Sequence, residues 1–153
     1  VNDVEISVEG VDTPLWIGRA RDFALAVLAR LGKDGWDLSI LLCDDPFMKG
    51  LNSQYRDRDE ATDVLSFEQG ERYRGPEGEE RFLAGDIALS LDSIERNSKE
   101  FGVSFDEELR RLIIHGILHL SGMDHGEGKD DPMLAFQEEI LRELAASSGA
   151  VVP

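Results

Sequence analysis

The stretch SFDEELRRLIIHGILHLSGMDH, residues 104–125, decides how the rest of the chain must be arranged. Ser104 followed three residues later by Glu107 is a capping box, a side-chain pair that satisfies open N–H groups at the start of a helix. Beyond it Leu109, Leu112, Ile113, Ile114, Ile117, Leu118 and Leu120 point to nearly every side of a 3.6-residue helix. Such a helix is buried on most of its surface. Gly122 is the residue type that stops a helix in a left-handed turn.

The same stretch holds every histidine of the chain. His115 and His119 sit four apart, which puts both imidazoles on one helix face, one turn above the other. The turn at Gly122 lets the chain reverse and bring His125 back toward them. Imidazole is the commonest protein donor to zinc, and three histidines with an open fourth position make the tetrahedral site of a catalytic zinc. A closed structural site would need a fourth side chain, for which Asp124 or Glu127 is placed. A lone histidine on an apolar helix reads better as a core residue, but the clustering of all three here favours one zinc ion per chain, at the end of the buried helix.

Working outward, Val4–Val8 alternates apolar and polar residues as a half-buried strand does. Thr13 and Pro14 carry helix-start chemistry, and Leu15, Trp16, Ala20, Phe23, Ala24, Val27, Leu28 and Leu31 continue one apolar face up to Gly32. Trp36–Cys43 reads as a central strand buried on both sides. Asp45 and Pro46 open a short amphipathic helix carrying Asn52, Tyr55 and Arg56. Val64–Phe67 is a short strand, and Glu68–Glu80 an exposed loop or loose hairpin. Phe82–Leu91 is strand-like, with Gly85 and Asp86 suggesting a bulge or a close approach. Asp92 can cap a helix to about Phe101, and Asp131 with Pro132 opens a last helix whose Met133, Phe136, Gln137, Ile140, Leu141 and Leu144 are in register, before a fraying tail. The expected fold class is α+β, a single mixed sheet of about four strands packed with about five helices in one domain over residues 1–153.

A chain of 153 residues, 41% hydrophobic, buries a sizeable core. Its single cysteine, Cys43, cannot form an internal disulfide, no apolar run approaches a membrane span, and no secretory leader is evident, so a cytoplasmic protein is expected. With 32 acidic against 16 basic residues, the net charge of −16 repels polyanions at long range. A local basic patch remains compatible with that sum.

A zinc-bound water ionises near neutral pH, so hydrolysis is the natural reaction class. A metalloprotease of the His-Glu-x-x-His type needs a glutamate after the first histidine, and here that position is Gly116. Asp124 and Asp86 are candidate general bases or carboxylates that orient the ligands, and equally ordinary turn residues. For a phosphodiester substrate Arg56 is the candidate cation, since a guanidinium fork matches two phosphate oxygens. On chemistry alone a solvated arginine at a helix end is the better description.

His115–His125 resembles the signature His-Gly-x-Leu-His-Leu-x-Gly-x-Asp-His of the YbeY family at every fixed position. Asn52-x-x-Tyr55-Arg56, Thr62–Phe67 and Gly85-Asp86-Ile87 resemble the family's other blocks, in the same order. The resemblance implies a zinc-dependent, single-strand-specific endoribonuclease acting in 16S rRNA 3′ end maturation and ribosome quality control. It implies His115, His119 and His125 as ligands and Arg56 as the residue engaging the phosphate. The partners it implies are rRNA and the small ribosomal subunit, with ribosomal proteins and assembly factors, and neither membrane nor DNA. Arg72, Arg74 and Arg81 are further basic residues available to RNA. The competing readings are a ribosome-associated binding factor with a structural zinc and a metallohydrolase of another bond, a protease or amidase.

Overall fold

The computed structural model describes residues 1–123 and 131–153; Asp124, His125 and Glu127 lie outside the described residues. The elements in order are β1 (Asp3–Glu9), α1 (Ile17–Arg30), β2 (Trp36–Cys43), α2 (Asp45–Arg56), β3 (Val64–Arg74), β4 (Glu80–Ser90), α3 (Leu91–Phe101), α4 (Phe105–Leu120) and α5 (Pro132–Ser148). The four strands form one mixed sheet in the order β1-β2-β4-β3, with β1, β2 and β4 parallel and β3 antiparallel at the edge. This is the α+β architecture expected, with β2 central.

Period-two alternation gives the sheet two different faces. Leu38, Ile40 and Leu42 of β2 and Ile87 and Leu89 of β4 belong to the main core with α1, α4 and α5, while Ala88, Leu41 and Phe67 meet Met48 and Leu51 of α2 on the other side. Helix α4 runs through the main core with Leu109, Ile113, Ile114, Ile117 and Leu118 essentially inaccessible. Each such side chain contributes roughly 1.5–3 kcal/mol by leaving water, so the histidine-bearing helix is rigidly seated. Its approach to the sheet is set at Gly116, where an added Cβ would lie 2.8 Å from the Ile87 side chain. A glutamate after His115 would have to displace the buried Ile87 side chain.

Caps fix the helix ends, though not always at the residues expected. Ser104 Oγ accepts from Glu107 N at 3.0 Å, as the capping box requires. The α2 cap is Asp44, accepting from Phe47 N at 3.0 Å, which releases Asp45 to take the Ser90 and Ser93 hydroxyls at 2.7 Å each. Ser90, not Asp92, caps α3. Helix α1 starts at Ile17 rather than at Pro14, because residues 14–17 close a turn of their own, and Leu15 is left fully exposed.

Two stretches are more ordered than their composition suggests. Much of Glu68–Glu80 is strand: β3 continues to Arg74 and pairs with β4 through backbone bonds that charged side chains do not disturb. Tyr73 and Arg81 both reach the Asp37 carboxylate and tie this hairpin to β2. The tail does not fray, since Val151 and Val152 donate their N–H groups to Asp106 Oδ1 at 2.6 and 2.8 Å. Gly85 does mark a close approach, with φ +144° and an imagined Cβ 2.1 Å from the Phe67 carbonyl oxygen, where the register shifts against both neighbouring strands.

Candidate active site

His115 and His119 face each other at the C-terminal end of α4, their Nε2 atoms 3.1 Å apart and their rings edge to face. Two nitrogens each bound about 2.0–2.1 Å from a tetrahedral zinc are themselves about 3.3 Å apart. The pair thus converges as two zinc ligands would. Gln137 of α5, only 5% exposed, orients His115: its Oε1 lies 2.7 Å from His115 Nδ1. Gln137 Nε2 donates to Glu138 Oε2 at 3.2 Å, so the amide oxygen is the end turned toward the imidazole. His115 Nδ1 then carries the proton, and Nε2 offers its lone pair toward His119.

The chain of contacts continues to charge. Burial pushes the Glu138 carboxyl up, but hydrogen bonds from Arg111 and Gln137 outweigh it and hold it below the usual carboxylate range. Arg111, whose guanidinium is held by Glu138 and, against the effect of burial, by Glu108 and Glu107, is driven further toward its charged form. Gln137 escaped sequence reasoning. Its only signal was an amide in the apolar register of the last helix.

Among the described residues no group of three histidine, cysteine, aspartate or glutamate side chains could hold a metal. The two imidazoles could supply two ligand positions, and the third predicted ligand, His125, lies outside the described residues, as does Asp124. Gly122, at φ +96°, makes the left-handed turn expected after α4. The donor chemistry fits zinc.

Arg56 ends α2, where Asp57 adopts a left-handed conformation. Buried Asn52 holds the following loop by donating Nδ2 to the Glu60 carbonyl at 2.9 Å. The Arg56 guanidinium lies over the Phe67 ring, 5.0 Å from its centre, and donates to the Ser66 carbonyl at 2.8 Å and the Tyr55 carbonyl at 3.2 Å. A guanidinium carries five N–H donors, so donors remain for a substrate. Arg56, Ser66, Glu68, His119 and Leu120 line one cleft of about 190 Å³. The fold therefore brings Arg56 and the histidine pair together from elements far apart in the chain.

Asp86 is placed elsewhere. It pairs with Phe67 across the sheet and with Ser39 on β2, which puts it on the α2 side, lining a separate cavity of about 500 Å³. Among the described residues Glu68 is the carboxylate that lines the cleft with His119, placed there by β3 where composition predicts an exposed loop. Arg81 donates to Asp37 and to the Val1 carbonyl, Arg74 donates to the Gly78 carbonyl, and Arg72 lies over Phe82. No helix among the described residues is long and apolar enough to cross a membrane.

A family model described as Endoribonuclease YbeY matches residues 6–145. The chain is 55% identical over 126 residues to Endoribonuclease YbeY of Treponema denticola, covering 82% of this chain and 81% of the relative. It is 49% identical over 154 residues to the Endoribonuclease YbeY of Treponema pallidum, covering 100% of this chain and 96% of that one. The solution structure of TM1509 from Thermotoga maritima superimposes with a TM-score of 0.65 at 26% identity, over 94% of this chain and 89% of that one.

Proposed function

The chain belongs to the YbeY endoribonuclease family, and from that premise we propose that it is a zinc-dependent endoribonuclease cutting single-stranded RNA in 16S rRNA 3′ end maturation and ribosome quality control. The observation that carries this reading is the single cleft shared by Arg56 and His119, beside the converging pair of imidazoles. Its substrate is rRNA in the small ribosomal subunit, its partners ribosomal proteins and assembly factors, and its compartment the cytoplasm.

His115, His119 and His125 would hold the metal. Bound zinc supplies Lewis acidity, ionising water near neutral pH and drawing charge from the phosphoryl group. Gln137 keeps His115 in the tautomer that can ligate. Arg56, anchored on Ser66 and Phe67, offers its remaining N–H donors to the nonbridging oxygens as negative charge builds there. Glu68 is the carboxylate in the cleft that can accept the proton of the attacking water. Asp124 would orient the ligands beside His125. No glutamate follows His115, and Gly116 is packed against Ile87, so the protease reading lacks its base.

The test is cleavage of a single-stranded RNA carrying the 3′ end of small-subunit rRNA by wild type, His119→Ala, Arg56→Ala and Glu68→Gln, prepared in parallel. Wild type alone should cut at full rate, with Arg56→Ala slower by about 10²–10³ for a lost charge-stabilising donor and Glu68→Gln by about 10²–10⁴ for a lost general base. His119→Ala should lose both zinc and cleavage. If every variant cuts like wild type, or zinc-loaded wild type does not cut, the binding-factor reading replaces this one.

A further inference from the structure

From the second cavity we infer that this protein reads a base of its RNA substrate, and that the base is guanine. The inference rests on the endoribonuclease reading for its biological setting, while the pocket itself is argued from geometry. Strand β3 is the wall between two sites. Ser66 and Glu68 line the cleft with His119, whereas the residues that follow each of them, Phe67 and Gln69, line the cavity with Asp86. Likewise Arg56 borders the cleft and Tyr55, beside it, borders the cavity. A nucleotide whose phosphate rests on Arg56 at the exposed edge of the sheet can place its base over that edge.

The cavity, about 500 Å³, has the size of a small-molecule pocket. Tyr55, 53% exposed and set edge-on to Phe67 at 5.4 Å, supplies an aromatic surface. Unpaired RNA bases are bound by stacking on such rings and by hydrogen bonds to their Watson–Crick edges. The polar groups available are the Asp86 carboxylate and the Gln69 amide, whose Nε2 lies 3.5 Å from Asp86 Oδ2. The Ser7 and Ser39 hydroxyls also line the cavity.

A carboxylate only accepts hydrogen bonds, and its two oxygens suit two adjacent donors. Guanine alone among the four bases has them, at N1–H and the N2 amine. The neighbouring O6 is an acceptor and meets the Gln69 amide as donor. Adenine and cytosine place a ring nitrogen acceptor beside their amine, and uracil flanks its N–H with carbonyls, so each sets a lone pair against Asp86.

The experiment titrates the zinc-loaded full chain with GMP, IMP, AMP, CMP and UMP while following the Gln69 side-chain amide by NMR. GMP should bind about tenfold tighter than the others, the discrimination of one good bidentate pair, and shift that amide; IMP, lacking the N2 amine, should not share the gain. Asp86→Asn should level the series, and Tyr55→Leu should weaken every member while keeping the order. In parallel, cleavage of single-stranded RNAs differing only in the position of one guanine should follow that guanine. If no RNA is cut, the ribonuclease reading fails and the nucleotide titration still decides the pocket. Should GMP bind no better than AMP, or Asp86→Asn keep the ranking, the inference is overturned. Equal slowing of all RNAs by Asp86→Asn with the ranking intact would assign Asp86 to the chemistry and overturn it as well. Should Asp86→Asn fail to fold, the wild-type GMP and IMP comparison settles the matter.

Discussion

The arrangement around His115 shows how residues that would never touch a metal can prepare the proposed ligand position. An imidazole ligates only when the right nitrogen is free of its proton, and a ring without a partner interchanges its tautomers. Here Glu138 receives the Gln137 amide, which aims its oxygen at His115 Nδ1 and leaves Nε2 for the ligand position. Gln137→Leu keeps the volume and removes the acceptor. Zinc affinity should then fall about 10–100-fold, measured by competition with a chromophoric chelator. Gln137→Glu, which retains an acceptor at the same reach, should recover much of that loss. Equal zinc affinity in wild type and Gln137→Leu would show that the contact does not tune the site.

At the level of elements, the decisive contact is α4 lying on β4 at Gly116. Helix propensity alone favours Gly116→Ala by about 1 kcal/mol. Against this, the new methyl group would sit 2.8 Å from Cδ1 and Cγ2 of Ile87, a side chain with no exposure, and overpacking a dense core costs about 1–3 kcal/mol. The second effect wins. Gly116→Ala should lower stability by about 1 kcal/mol, read as a lower urea midpoint with unchanged slope, and should shift the His115–His119 pair against Arg56. A stabilised Gly116→Ala protein would mean the helix has room to spare.

Over the whole molecule, carboxylates held by hydrogen bonds and ion pairs make the fold sensitive to acid in a definite direction, opposed by the self-repulsion of a net charge of −16. Asp37, Asp45 and Glu138 all sit below their ordinary range. In each, burial pushes the carboxyl up and hydrogen bonds outweigh it: Arg81 and Tyr73 for Asp37, Arg96 with Ser90 and Ser93 for Asp45, Arg111 for Glu138. Carboxylates depressed in the folded state bind protons more readily in the unfolded chain. Their contribution is complete above the unfolded values, about 4–4.5, and is lost as pH falls through the folded ones. The melting temperature should therefore drop steadily below about pH 4.5, and Asp37→Asn should flatten part of that slope. A melting temperature that rises on acidification would mean that relief of the acidic surface's self-repulsion outweighs the lost ion pairs.

Features governed by local geometry are legible along the chain. The His115–His119 pairing follows from 3.6 residues per turn, the start of α4 from a Ser104 cap closed within four residues, and the strand β2 from its own apolar run. The fold class was legible for the same reason, since buried helix, alternating strands and glycine stops each declare their environment. Which side chains meet across the chain depends on packing and topology instead. Arg56 shares a cleft with His119 because β3 forms the sheet edge beneath both. Glu68 enters that cleft and Asp86 the opposite cavity because register with neighbouring strands, and not composition, assigns each residue of a strand to a face. Gln137 reaches His115 because α5 packs on α4. Such contacts join residues separated by tens of positions, and their existence depends on the topology that closes the loop between them.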